Sequence, residues 1–158
     1  MSEPYEEILN GSPLKRLLTG LRHELICDRL HERVQVSVAN LSSTRLLSRR
    51  SETRLDSSNL VRPDLALLTT ATGKLWLAAE IVSPDDHHSD TVVKKQIYEE
   101  LKLPRLWMVD PRYDNIEIYH STEYGLSMKE ILSGRDVLTE KLLPGFQMPV
   151  AELFAPSR

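Results

Sequence analysis

The apolar positions of the chain change period several times, and each change marks an expected element. Behind an Asn10-Gly11 turn signal, Ser12-Pro13 reads as a helix N-cap followed by proline at the first helical position. Leu14, Leu17, Leu18, Leu21, Leu25 and Ile26 then recur at helical spacing and predict a helix to about Arg33. From Val34 the period falls to two. Val34, Val36 and Val38 alternate with Gln35, Ser37 and Ala39, the pattern of a half-buried strand. Residues 40–43 are turn chemistry, and 45–55 read as a strand or hairpin partner.

The stretch 62–110 carries the strongest pattern. V-R-P-D-L-A-L-L-T-T and K-L-W-L-A-A-E-I-V-S-P predict strands over 63–69 and 75–82. The turn at Thr72-Gly73 is too short for a parallel crossover, so the two strands are expected as antiparallel neighbours. A polar loop leads to a helix capped by Ser89 or Asp90, with Val92, Val93, Gln96, Ile97, Tyr98 and Leu101 on one face. An apolar strand over 106–110 and an alternating one over 115–120 follow, then edge strands over 126–132 and 136–143 and a closing helix over 149–154. The order predicts an α/β (α+β) fold, a central mixed sheet flanked by helices, in a single domain over 1–158.

Composition changes this picture little. Hydrophobic residues make up 41% and charged residues 27%, as in ordinary globular proteins. No apolar run is long enough to cross a bilayer, and the acidic N-terminus is not that of a secretory signal. The single Cys27 forms no internal disulfide and reads as a small core residue in a cytoplasmic protein. A net charge of −3 argues against strong non-specific DNA binding. Arg45, Arg49, Arg50, Arg54 and Arg62 nevertheless crowd one segment, as a phosphate-tracking strip or as a solvated strand face.

The anomaly is a carboxylate, Glu80, inside L-W-L-A-A-E-I-V, because an unpaired buried charge is costly. Asp64 opens the neighbouring strand, so the two acids can approach, and two nearby carboxylates repel unless a proton or cation lies between them. Hard oxygens of this kind suit Mg²⁺. The plainer alternatives are an Asp64 that caps the turn after Pro63 and a Glu80 that points to solvent. Asp90, Lys94 and Tyr98 stack along one stripe of the next helix. There Lys94 either serves the acid pair, orienting a nucleophile or stabilising transition-state charge, or forms an ordinary Asp–Lys helix pair. His87-His88 beside Asp85, Asp86 and Asp90 lack the usual metal-ligand geometry, and His23 and His31 read as residues of the helix's exposed face. Trp76 and Trp107 read as core rather than base-stacking platforms. No phosphate-cradling glycine motif and no nucleophile elbow is present.

P-D-L-A-L-L, L-A-A-E-I-V-S-P, D-T-V-V-K-K-Q-I-Y and R-L-W-M-V-D-P together resemble the Uma-two family of bacterial restriction endonucleases, within the PD-(D/E)XK nuclease superfamily. Glu6-Glu-Ile-Leu-Asn-Gly11 resembles the family's N-terminal start, His23 falls at the histidine of its first helix, and L-L-P-G-F-Q-M-P-V-A-E-L-F resembles its C-terminal signature. The resemblance implies a restriction-endonuclease-like core with a four-stranded mixed sheet, a Mg²⁺ site that Mn²⁺ could also fill, and hydrolysis of DNA phosphodiesters. Asp64 and Glu80 would be the motif acids and the Ile81 backbone carbonyl a further metal ligand. Glu6, His23, Asp90 and Tyr98 would be accessory. The superfamily's usual lysine, two residues after the glutamate, is Val82 here, and the resemblance assigns its role to Lys94.

The competing expectations are a non-catalytic module of the same fold, acting in nucleic-acid binding or assembly, and a purely structural interaction protein. Val82 and the mild acidity favour the first; the second leaves Glu80 buried without a reason. A nuclease domain of this size is expected as a homodimer, which presents two sites to the two strands of a duplex.

Overall fold

The structure, a computed structural model, describes residues 4–17 and 19–156. It opens with a hairpin, β1 (Tyr5–Leu9) and β2 (Ser12–Arg16), followed by helix α1 (Leu21–Val38). Short strands β3 (Thr44–Leu46), β4 (Thr53–Asp56) and β5 (Asn59–Val61) precede β6 (Leu65–Thr69) and β7 (Leu75–Ile81). A π-helical turn (Ser89–Lys94) runs directly into α2 (Lys95–Glu100), then come β8 (Arg105–Asp110), β9 (Asn115–Thr122) and β10 (Gly125–Ser133). Strands β11 (Val137–Leu138) and β12 (Met148–Pro149) form a separate small ladder, and α3 (Val150–Leu153) closes the described chain.

The central sheet is mixed, in the order β10-β9-β8-β7-β6-β3. Strands β6 and β7 are antiparallel neighbours, as the short turn requires, and β7 pairs parallel with β8 through the α2 crossover. The four-stranded core implied by the resemblance is the inner part of this sheet; β3 and β10 extend it to six. A second sheet, β2-β1-β5-β4, carries the N-terminal hairpin. Helix α1 covers one face of the central sheet through Ile26, Cys27, Leu30 and Val34, packed with Leu77, Ala79 and Ile81. Helix α2, the hairpin and β5 cover the other face, where Ala78 and Val82 meet Leu106, Met108 and Tyr98. Among the described residues no helix is long and apolar enough to cross a membrane.

Three expected elements are corrected. Ser12-Pro13 does not start a helix. Asn10 and Gly11 take φ of 53° and 80°, the backbone of a two-residue hairpin turn, and Pro13 sits on the edge strand β2. Leu17 and Leu21, assigned to that helix, are exposed, and Leu18 lies outside the described residues, as do Met1–Glu3 of the acidic N-terminus. The valines do not form a strand but continue α1: Leu30, Val34 and Val38 are four apart and face the core, while Val36 points outward. The expected strand over 136–143 shortens to Val137–Leu138, with Leu143 reaching the core from a turn.

Candidate active site

Alternation along β7 decides where Glu80 points. Leu77, Ala79 and Ile81 face α1, so Glu80 faces α2 and the hairpin, where only 2% of it is exposed. Tyr98 on α2 donates its hydroxyl to Glu80 Oε2 at 2.6 Å, and Lys94 Nζ lies 2.7 Å from the same oxygen. Asp90, Lys94 and Tyr98 are all buried, so the predicted stripe exists, carried in part by the π-helical turn. Asp90 and Lys94 do not pair as neighbours on the helix. Lys94 bonds Glu7 and Glu80, while Asp90 takes Arg16 Nη2 at 2.9 and 3.1 Å and the Ser83 N–H at 2.9 Å. Asp90 is thus no helix cap; His88 occupies that position.

Asp64 immediately precedes β6, so its side chain reaches the end of β7. Its Oδ2 accepts the Ile81 N–H at 2.8 Å and its Oδ1 accepts Arg50 Nε at 3.2 Å. His23 on α1 completes the ring around the Ile81 peptide, with Nε2 3.0 Å from the Ile81 carbonyl and Nδ1 3.3 Å from Arg50 Nη2. A guanidinium only donates, so Nδ1 accepts and Nε2 carries the proton toward Ile81. Arg50 also binds Glu24 at 2.7 Å and sits at φ 55°, uncommon for a residue other than glycine.

Two buried groups escaped the sequence reading. Glu7, not Glu6, enters the site: Glu6 is exposed, whereas Glu7 shares the inward face of β1 with Leu9. Strand alternation is the signal that could have found it. Arg16, also buried, binds Glu7 at 2.7 Å, Asp86 at 3.2 Å and Asp90 at 2.9 Å, and no local pattern announces it. The arginine strip does not form one surface. Arg45 lies exposed on β3 and Arg54 exposed on β4, in different sheets. Arg49 holds Glu24 and Asp28, Arg50 holds Asp64, and Arg62 reaches Glu52. His23 and His31, expected on an exposed face, are instead buried and half-buried, because each turns toward the sheet to bond a carbonyl, Ile81 and Asp64 respectively, the latter at 2.6 Å; His87 and His88 are exposed. Trp107 is core, stacked on Phe146, and Trp76 donates to Thr44.

The electrostatics centre on Glu80. Four buried carboxylates, Glu7, Asp64, Glu80 and Asp90, meet three buried cations, Arg16, Arg50 and Lys94. Burial, reinforced by Glu7, Asp64 and Asp90 and only partly offset by Lys94, pushes the Glu80 carboxyl up to about 8. Burial also raises Asp90, against the pull of Arg16. Glu7 goes the other way: burial would raise it, but Lys94 and Arg16 more than reverse that. Lys94 is held above its ordinary value because Glu7, Glu80 and Asp90 outweigh its burial. Glu80 is therefore held largely in its protonated form at neutral pH, and takes up its charge readily only when further positive charge arrives beside it. Among the described residues no three His, Cys, Asp or Glu side chains converge into a ready-made metal cage. Two carboxylates and a carbonyl are nonetheless a donor set that suits Mg²⁺, which completes its octahedron with water and phosphate. Their hard oxygens, and a Glu80 proton that an arriving cation would displace, fit such an ion.

The sequence matches the family Uma2, described as "Putative restriction endonuclease", over residues 3–151. A crystal structure of a "putative nuclease belonging to DUF820" from Anabaena variabilis superposes with a TM-score of 0.80 at 15% identity, covering 98% of this chain and 92% of that one. That likeness shows a shared fold. No protein of curated function matches the sequence. With a family match spanning nearly all of its length, this chain belongs to the Uma2 (Uma-two) family.

Proposed function

We propose that the chain is a PD-(D/E)XK-type endonuclease that hydrolyses DNA phosphodiester bonds with Mg²⁺, or Mn²⁺ in its place. Asp64, Glu80 and the Ile81 carbonyl would hold the ion. The observation that carries this reading is the surplus carboxylate: Glu80 is buried, and its charge is incompletely matched by the cations around it. When bound, the ion would neutralise phosphate charge and lower the pKa of a water. The chain's own residues supply the order. Arg50 and the Ile81 N–H fix Asp64, His23 fixes the Ile81 carbonyl, and Tyr98 fixes Glu80. Lys94 takes the role of the lysine missing at Val82: its ammonium, beside Glu80, orients the attacking oxygen and stabilises charge building on the phosphate. Exposed Arg45 and Arg54 are the members of the arginine segment open to a DNA backbone. We further propose a cytoplasmic homodimer, which light scattering would test.

One observation favours a second reading, a non-catalytic module of the same fold. Lys94 is gripped by two carboxylates, and both it and Glu80 are closed to solvent. Nicking of supercoiled plasmid by the purified protein in Mg²⁺, Mn²⁺ or EDTA separates the two. The nuclease reading expects ion-dependent cleavage that falls by orders of magnitude in Asp64→Asn and Glu80→Gln. An inert wild type, or cleavage indifferent to both substitutions, would leave the module.

A further inference from the structure

The N-terminal hairpin contributes more than cover. Glu7 is wholly buried, and both of its oxygens are occupied. Oε1 accepts Arg16 Nη1 at 2.7 Å; Oε2 accepts Lys94 Nζ at 2.7 Å and the Arg62 N–H at 2.7 Å. Lys94 Nζ is 2.7 Å from Glu80 Oε2 at the same time. An ammonium has three N–H directions. Glu7 takes one of them as a hydrogen bond, and the Glu80 carboxyl is an ion-pair contact beside it.

Lysine is a long, flexible chain, and Nζ needs an outside constraint to stay over Glu80. Asp90, four residues back on the same stripe, is a competing acid whose charge acts on Lys94. Arg16 removes that competitor by taking both Asp90 oxygens, and the same guanidinium anchors Glu7. Two hairpin residues thus leave Lys94 one stable place, between Glu7 and Glu80.

We propose that Glu7 is a positioning residue of this nuclease site, acting through Lys94, with Arg16 as its anchor. The inference rests on the nuclease reading above. It predicts which changes disturb the site. A glutamine at position 7 has one acceptor oxygen where three donors arrive, so its amide N–H₂ must face at least one of them. With its oxygen turned to Lys94 and the Arg62 N–H, which share one side, the amide N–H₂ faces Arg16; the anchor is displaced, Asp90 is released as a competitor, and Lys94 shifts from Glu80. Aspartate keeps the charge and both oxygens but withdraws them by one methylene.

The test is a double-substitution cycle read by plasmid nicking, with Glu7→Gln and Glu7→Asp made in wild type and in Lys94→Gln. Calorimetric Mg²⁺ binding and a crystal structure of Glu7→Gln accompany it. In the wild-type background both Glu7 changes should lower kcat by about 100-fold with KM for DNA little changed, the scale of a misplaced reacting group. In Lys94→Gln they should add nothing, because Glu7 works only through the ammonium. Mg²⁺ affinity should stay within about twofold, since Glu7 is no ligand in this reading. In the crystal, Lys94 Nζ should leave its contact with Glu80. Equal losses in both backgrounds, or a Lys94 unmoved in Glu7→Gln, would overturn the positioning role while the nuclease stands. A wild type without ion-dependent cleavage would overturn both. Glu7→Asp keeps the buried charge balance and remains informative where the glutamine variant fails to fold.

Discussion

Replacing Glu80 with glutamine should stabilise the metal-free protein, although Glu80 is in contact with a buried lysine. Moving a carboxyl from 4.5 to about 8 costs its ionised form about 5 kcal/mol at 1.36 kcal/mol per pH unit. The contribution is fully favourable below pH 4.5, where the group is protonated folded or unfolded, and is lost as pH rises toward 8. At pH 7 the loss is about 3 kcal/mol. Glutamine imitates the protonated form and escapes that loss. The opposing expectation is the roughly 3–5 kcal/mol cost of stranding the partner of a buried ion pair. Lys94 is not stranded, however, because Glu7 still holds it at 2.7 Å. At about 2–4 °C per kcal/mol for a chain of this size, Glu80→Gln should melt roughly 10 °C above wild type at pH 8. At pH 4.5 the two should melt together. Melting followed by circular dichroism at both pH values measures this. Saturating Mg²⁺, at about 100 times its Kd, should then raise the wild type by about 2.7 kcal/mol and the variant by less. A variant less stable than wild type at pH 8 would refute the surplus-charge argument and make Glu80 a structural partner of Lys94.

How much of this is legible in the sequence depends on whether the signal is local. The core order from β6 to β8 follows from apolar runs and one short turn, and the structure has that order with that pairing. The burial of Glu80 was readable from its neighbours, and the stripe of Asp90, Lys94 and Tyr98 from spacing alone. The N-terminal third misled because two local signals competed there. Ser12-Pro13 is good helix-start chemistry, but Asn10-Gly11 supplies two residues tolerant of positive φ, and the hairpin prevails. Likewise Val34 and Val38 satisfy both a period of two and a spacing of four, and the preceding Leu30 decides for helix.

What no local pattern carries is partner identity. Arg16 meets Asp90 across 74 positions and Lys94 meets Glu7 across 87. Only the docking of the hairpin on the π-helical turn before α2 creates these pairs. Arg50 illustrates the cost of that blindness: in sequence it is one arginine of a strip, and in the fold it is the counter-ion of Asp64. The Ile81 carbonyl is tied to His23, a link that spans 58 positions.

Two further predictions concern groups around this cluster. Burial pushes the Cys27 thiol up to about 12, so at pH 8 roughly one molecule in 10⁴ would carry the thiolate. A disulfide reagent at pH 8 should leave the native thiol unreacted and modify it once guanidinium unfolds the chain; rapid native reaction would mean that the α1 core is open. Tyr98→Phe removes a 2.6 Å bond between two groups almost sealed from solvent. Burial and the adjacent Glu80 hold the phenol well above its ordinary value, so Tyr98 is the donor throughout the accessible pH range. Above pH 8 its acceptor is a carboxylate, and losing a hydrogen bond to a charged group costs about 1.5–3 kcal/mol. At pH 5 the acceptor is the neutral acid, and the cost falls to about 1 kcal/mol. The sign follows from linkage: without this donor the folded Glu80 is raised further, so the variant loses more stability as pH rises. Urea titrations at pH 5 and pH 9 measure both costs. Equal costs at the two pH values would mean that Glu80 does not change charge between them, and would refute its placement near 8.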